Sequence, residues 1–223
     1  MPDGQYSFYL HSDDHTDIAA MATISTISQP LRGEFIRTAA TAGAVVYQVD
    51  ARLPALIPVF FAGQLSAVRL CAVMALVSGT WSSLTGLPDE PENGEAALPV
   101  SPETEYQRRR YTLTLQNGRS GERVESVLTE ASSRLRGDLL RNLIITGLAL
   151  HTTAPELPRL LASMPVPPTS VSELQALVQQ MAGTADVNRA AAAVPDTPAA
   201  SAAPVSGSDT REIKKNMRRA FGD

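Results

Sequence analysis

Cysteine is nearly absent from this chain: Cys71 stands alone among 223 residues. One thiol cannot close an intramolecular disulfide or build a cysteine-ligated zinc site, and its apolar surroundings make it a small buried hydrophobe. Histidine is scarce too, with only His11, His15 and His151. The first two lie close to Asp13, Asp14 and Asp17. Ligand spacing alone is a weak metal signal, and the cluster reads better as carboxylates capping a loop. Aromatic residues make up 5% of the chain, too few for a base-stacking surface, so Trp81 is assigned to packing. The sequence has no Gly-rich phosphate loop, nucleophile elbow or zinc motif, so no catalytic residue, cofactor or metal is expected. No charged stretch followed by an apolar one opens the chain as a secretory signal would. The longest apolar run, residues 53–77, is broken by Pro54, Pro58, Gln64 and Arg69. It is expected to form two short buried helices rather than a membrane span. A cytoplasmic protein with no membrane partner is the expectation.

Against these absences stands a repetition. "LRGEFIRTAATAG" from Leu31 returns as "LRGDLLRNLIITG" from Leu135, an offset of 104 positions. The same offset matches Arg32 with Arg136, Gly33 with Gly137, Arg37 with Arg141, Gly43 with Gly147 and Leu53-Pro54 with Leu157-Pro158. Upstream, "YSFYL" at Tyr6 matches "YTLTL" at Tyr111 with an offset of 105. This period is too long for a solenoid and reads as a small domain duplicated in tandem. Low aromatic content and 43% hydrophobic residues suit mainly helical units with Ala/Leu/Val cores. The formal net charge of −4 sits largely in one segment, where 88–105 carries six acids and no Lys or Arg; without them 19 bases face 17 acids. The predicted organisation is a first unit at 1–85, an acidic flexible linker at 86–106, a second unit at 107–185, an Ala/Pro-rich disordered linker at 186–207 and a tail at 208–223.

Each unit reads the same way. A strand comes first, with Tyr6, Phe8 and Leu10 alternating with Ser7, Tyr9 and His11, and Tyr111, Leu113 and Leu115 alternating with Arg110, Thr112, Thr114 and Gln116. That is the period-two pattern of a strand with one buried face. A helix follows with Ala20, Ile24 and Ile27, or Val124, Val127, Leu128 and Ala131. Ser28 and Ser132 stand where an N-cap belongs for a second helix. That helix carries Leu31, Phe35, Ala39, Gly43 and Tyr47, or Leu135, Leu139, Leu143, Gly147 and Leu148, on one face. Gly33 and Gly137 are expected inside it, where something approaches closely: the partner helix, the plainer choice, or the DNA backbone. Pro54 and Pro158 open a third helix, and Ser66 and Ser170 a fourth, the last as the capping box Ser170-x-x-Glu173. A lone strand cannot satisfy its own backbone groups, so the two copies are expected to pair their strands antiparallel within one chain. The result is a mainly α, single-chain pseudo-dimer of two ribbon-helix-helix units, each one strand plus about four helices, with a flexible C-terminal tail.

In the tail, Asp209 and Glu212 can cap a short helix. Ile213, Met217 and Phe221 share a face, flanked by Lys214, Lys215, Arg218 and Arg219. A helix this short is marginal alone and fits a segment that folds on a partner. A basic DNA arm, and a helix that docks back on its own domain, are the competing readings.

The strand, the helix, "LRGEFIRTAATAGAVVYQVDARLPALIPVFFAG" and a further helix resemble the ParR/StbB family of plasmid partition and stability adaptors. The ending "SDTREIKKNMRRAFGD" resembles the segment with which that family grips its motor filament. The resemblance implies a protein that binds centromere-like repeats in double-stranded DNA, lines up side by side along them, captures an actin-like ParM-type ATPase filament, and can repress its own operon. Family members normally carry one such unit per chain, and here there are two.

The residues are compatible with DNA binding in their own right. A two-stranded ribbon fits the major groove, and the outward set Ser7, Tyr9, His11, Arg110, Thr112, Thr114 and Gln116 is rich in hydrogen-bonding groups. Ser28/Arg32 and Ser132/Arg136 would place open amides and a guanidinium at helix starts, suited to phosphate. A solvated strand face, and ion pairs of Arg32 or Arg136 with Glu34 or Asp138, are the plainer alternatives. A ribbon-helix-helix repressor or antitoxin, and an interaction module that does not bind DNA, are the rival functions.

Overall fold

The computed structural model describes residues 4–80 and 107–192, with side chains through 183. The acidic segment, Trp81 and the residues 208–223 expected to bind a partner lie outside the described residues. Residues Met1–Val187 make one compact unit and Asn188–Asp223 a second, of which only the helical residues 188–192 are described.

The described part of the first unit is helical apart from one two-stranded sheet. The first copy runs β1 (Gln5–His11), α1 (His15–Ser25), α2 (Arg32–Val49), α3 (Leu53–Leu56) and α4 (Ala67–Ser78). The second runs β2 (Arg108–Thr114), α5 (Arg119–Glu130), α6 (Arg136–Thr153), α7 (Leu157–Ser163) and α8 (Val171–Ala192). β1 and β2 pair antiparallel within the chain, with Ser7 opposite Thr112 and Tyr9 opposite Arg110. The strand pairing solves for both copies the backbone problem neither solves alone. Alternation does the rest: Phe8, Leu10, Leu113 and Leu115 are buried beneath the ribbon, and Phe8 stacks on Tyr111 with ring centroids 5.3 Å apart.

Behind the ribbon, α2 and α6 cross at the centre of the core, and two glycines make the crossing possible. A β-carbon on Gly43 would overlap the Leu143 carbonyl, and one on Gly147 would overlap the Ala39 carbonyl. The two contacts are the same contact seen from each copy, since Ala39 and Leu143 are also 104 positions apart. The close approach therefore belongs to Gly43 and Gly147, not to Gly33 and Gly137. The latter pair lie in the first turns of α2 and α6; Gly137 faces the ribbon, where a β-carbon would stand 3.5 Å from the Ser7 carbonyl oxygen.

Pseudo-symmetry extends to single hydrogen bonds. Thr16 donates to the Pro58 carbonyl (3.1 Å) and Ser120, its counterpart, to the Ala162 carbonyl (3.3 Å). Ser66 accepts from the Arg69 amide, and Ser170 from the Glu173 amide, as capping serines should. Glu173 reaches back one residue further than a standard box, accepting from the Thr169 amide at 2.8 Å.

Four local expectations are corrected. Ser28 and Ser132 do not cap α2 and α6. A short 3-10 turn, Gln29–Leu31, intervenes in the first copy. The N-caps are Leu31 and Leu135, whose amides donate to the Ser28 and Ser132 carbonyls. A tight turn satisfies with a backbone oxygen what the hydroxyl was expected to satisfy. Leu31 and Leu135 consequently sit before the first helical turn and are 55% and 58% exposed rather than in the core. Ile27 and Ala131 fall beyond the ends of α1 and α5. Finally, α8 runs to Ala192, into the stretch expected as linker, because residues 188–192 are mostly Ala, the strongest helix former. Cys71 is buried as expected, and burial pushes its thiol pKa up.

Candidate nucleic-acid interface

The outer face of the ribbon is built by register. Ser7, Tyr9 and His11 on β1 stand opposite Thr112, Arg110 and Arg108 on β2, and Gln5 stands opposite Thr114. Two contacts order this surface. The Arg108 guanidinium lies 3.6 Å from the centre of the Tyr9 ring, a cation–π stack that fixes its plane. Arg110 donates from Nε and Nη2 to the Ser7 hydroxyl, at 3.2 and 3.0 Å. Gln116 lies past the end of β2 and is exposed.

The flanks of the ribbon are the starts of α2 and α6. Arg32 and Arg136 are present there, but each folds back. Arg32 donates to the Ile27 carbonyl at 2.8 Å and the Ser25 carbonyl at 3.3 Å; Arg136 donates to the Ala131 carbonyl at 3.2 Å. Carbonyls at a helix C-terminus have no partner inside the helix and attract cations. The two arginines thus close off α1 and α5, and the plainer alternative, an ion pair with Glu34 or Asp138, is not formed among the described residues.

One corner contains a buried charge pair. Asp14 caps α1 by accepting from the Asp17 amide at 3.0 Å. Asp17 is fully buried and accepts from the His11 amide at 2.8 Å and from Arg141 Nε at 2.6 Å. Arg141 also lies 3.2 Å from Asp14. Burial raises the Asp17 carboxyl above its ordinary range; the bonds from Arg141 and the His11 amide pull it back without reversing the direction. The acidic cluster is therefore a capping and pairing device. Among the described residues no group of three or more His, Cys, Asp or Glu could hold a metal.

The strand expectation brings together Ser7, Tyr9, His11, Arg110, Thr112, Thr114 and Gln116 on one surface; the ribbon pairs all of these except Gln116, which lies past the end of β2. The expectation missed Arg108, which extending the period-two pattern one step back would have found. It also missed Asp17 with Arg141, which are far apart in sequence and carry no local signal. The residues expected to bind a partner, Ile213, Lys214, Lys215, Met217, Arg218, Arg219 and Phe221, lie outside the described residues.

A family model described as plasmid stability protein matches the chain twice, over residues 4–74 and 109–178. The chain belongs to the plasmid stability protein family. Each match of this plasmid stability protein begins at a ribbon strand and ends within a fourth helix, α4 or α8. The duplication seen in the sequence is thus a duplication of the family's unit, and Arg108 stands just ahead of the second match. No curated protein and no solved structure matches the chain. Among the described residues no helix is long and apolar enough to cross a membrane.

Proposed function

We propose that this plasmid stability protein is a DNA-binding partition adaptor. Its ribbon enters the major groove of centromere-like repeats, copies line up along the DNA in the cytoplasm, and the C-terminal segment captures an actin-like, ParM-type filament. The observation that carries this reading is the intrachain ribbon, buried on one face and offering Ser7, Tyr9, Arg108, Arg110, Thr112 and Thr114 on the other. Such a ribbon has the dimensions the major groove admits, and base edges there differ in donors, acceptors and methyl groups. The ordered guanidinium groups of Arg108 and Arg110 are suited to bidentate contact with guanine. Arg32 and Arg136, held at the starts of α2 and α6, would add backbone contacts that position without specifying. His11, Gln116, Ser28 and Ser132 would contribute at the rim.

The motor-binding role rests on the sequence of residues 208–223: an apolar stripe of Ile213, Met217 and Phe221 beside Lys214, Lys215, Arg218 and Arg219. Repression of its own operon would follow from the same DNA contacts.

The test is a duplex-binding titration at several salt concentrations. Phosphate contacts release counterions, so affinity should fall linearly in log–log form, and an Arg32→Ala/Arg136→Ala variant should show a shallower slope. An Arg108→Ala/Arg110→Ala variant should lose discrimination between cognate and random duplex. Absence of duplex binding at low salt would reject the reading. Deleting residues 208–223 should leave DNA affinity within a few-fold and abolish filament capture.

A further inference from the structure

The ribbon's register carries a second message. The repeat offset of 105 places Ser7 on Thr112, and these two are themselves partners across the ribbon. The pseudo-two-fold axis therefore passes between them. It relates the pair Tyr9–Arg110 on one side to Gln5–Thr114 on the other. In a ribbon made from two identical chains these two pairs would have the same composition. Here they do not.

On one side of the axis stand Tyr9 and Arg110, followed by His11 and Arg108; both outward-facing arginines of the ribbon are there. They are also pre-oriented, Arg108 by the Tyr9 ring and Arg110 by the Ser7 hydroxyl. On the other side stand a side-chain amide and a hydroxyl with a methyl group. The corners differ as well. Beside the arginine half, a groove of about 600 Å³ holds four carboxylates and three guanidinium groups, with Arg141 bound to Asp14 and Asp17. Its counterpart, about 280 Å³, holds one carboxylate, Glu34, with Arg37 and Arg119. Gly121 stands there where the first copy has Asp17, and Arg37 makes no ion pair among the described residues.

Side-chain chemistry converts these differences into base preferences. A guanidinium fork matches guanine O6 and N7, a glutamine amide matches adenine N6 and N7, and a threonine methyl packs on the thymine methyl. We infer that the chain reads a non-palindromic duplex site in one fixed orientation, with a guanine-bearing half-site under Tyr9, Arg110 and Arg108 and an A·T half-site under Gln5 and Thr114. Base contact dominates in the first half. Backbone contact through the net positive corner of Arg37 and Arg119 dominates in the second. This inference rests on the DNA-binding reading and adds a direction to it.

The experiment is selection from a randomised duplex library with the full chain, repeated with Arg110→Gln and with Gln5→Ala, both exposed positions whose variants are checked by thermal melting. The expected consensus has no dyad, with guanine on one side and A·T on the other. Arg110→Gln should change the selected base in the guanine half alone and weaken binding to the parent consensus roughly 10- to 100-fold. Gln5→Ala should relax the opposite half alone. An inverted-repeat consensus, or an Arg110→Gln effect spread equally over both halves, overturns the direction while leaving DNA binding intact. Failure to enrich any duplex removes DNA binding itself, and the direction with it.

Discussion

Thr146 is fully buried in α6, and its hydroxyl has no hydrogen-bond partner among the described residues. An unsatisfied buried hydroxyl costs its desolvation with nothing in return. Thr146→Val keeps the shape and removes that cost, so it should raise unfolding free energy by about 1 kcal/mol in denaturant titration. Asp17 makes a second residue-level prediction, through pH. Its folded pKa lies above the ordinary 3.8 because it is buried. The folded state therefore takes up this proton before the unfolded state does as pH falls. Ionised Asp17 weighs against folding above its folded pKa, and that penalty is relieved between the raised value and about 3.8. Parent stability minus that of Asp17→Asn should thus grow as pH falls through this window. A flat difference would mean that Arg141 holds the carboxyl at its ordinary value.

At the scale of elements, the crossing of α2 and α6 decides stability. Gly43→Ala or Gly147→Ala places a methyl into the opposite helix's backbone, which only separation of the helices can relieve. Each should cost about 3 kcal/mol or more, at or beyond the usual range for overpacking. Gly183→Ala is the internal control. It is also helical, with open space around it, and should gain about 0.5–1 kcal/mol. These contrasts also mark what sequence could reveal. Strands and helices were legible because Phe8, Leu10, Leu113 and Leu115 alternate, and because apolar residues in α2 and α6 recur at helical spacing. Pro54, Ser66 and Ser170 gave correct starts, being local signals with a local cause. The α2 and α6 starts were misread because a backbone carbonyl replaced the serine hydroxyl, a substitution invisible in side-chain identity. Gly43 and Gly33 look alike in sequence; only the crossing point tells them apart. At the site, the outward alternation showed the ribbon's face, whereas the Asp17–Arg141 pair and the role of Arg32 depend on which elements meet in space.

At the scale of the whole molecule, both ribbon strands come from one chain. Folding therefore requires no second chain, and the thermal midpoint should not change with protein concentration, as it would for a dimer coupled to folding. A midpoint that climbs with concentration would point to strands exchanged between chains. The same pairing bears on life among relatives. On the proposed DNA-binding reading, an adaptor assembled from two separate chains can mix with a close variant made in the same cell, and the hybrid then carries one ribbon strand from each. A chain that carries both strands has no half to exchange. On that reading, two related plasmids encoding such chains could share a host without their adaptors mixing, and a single base change in one half of a site could be matched by a single amino-acid change in one strand, with the other strand left as it was.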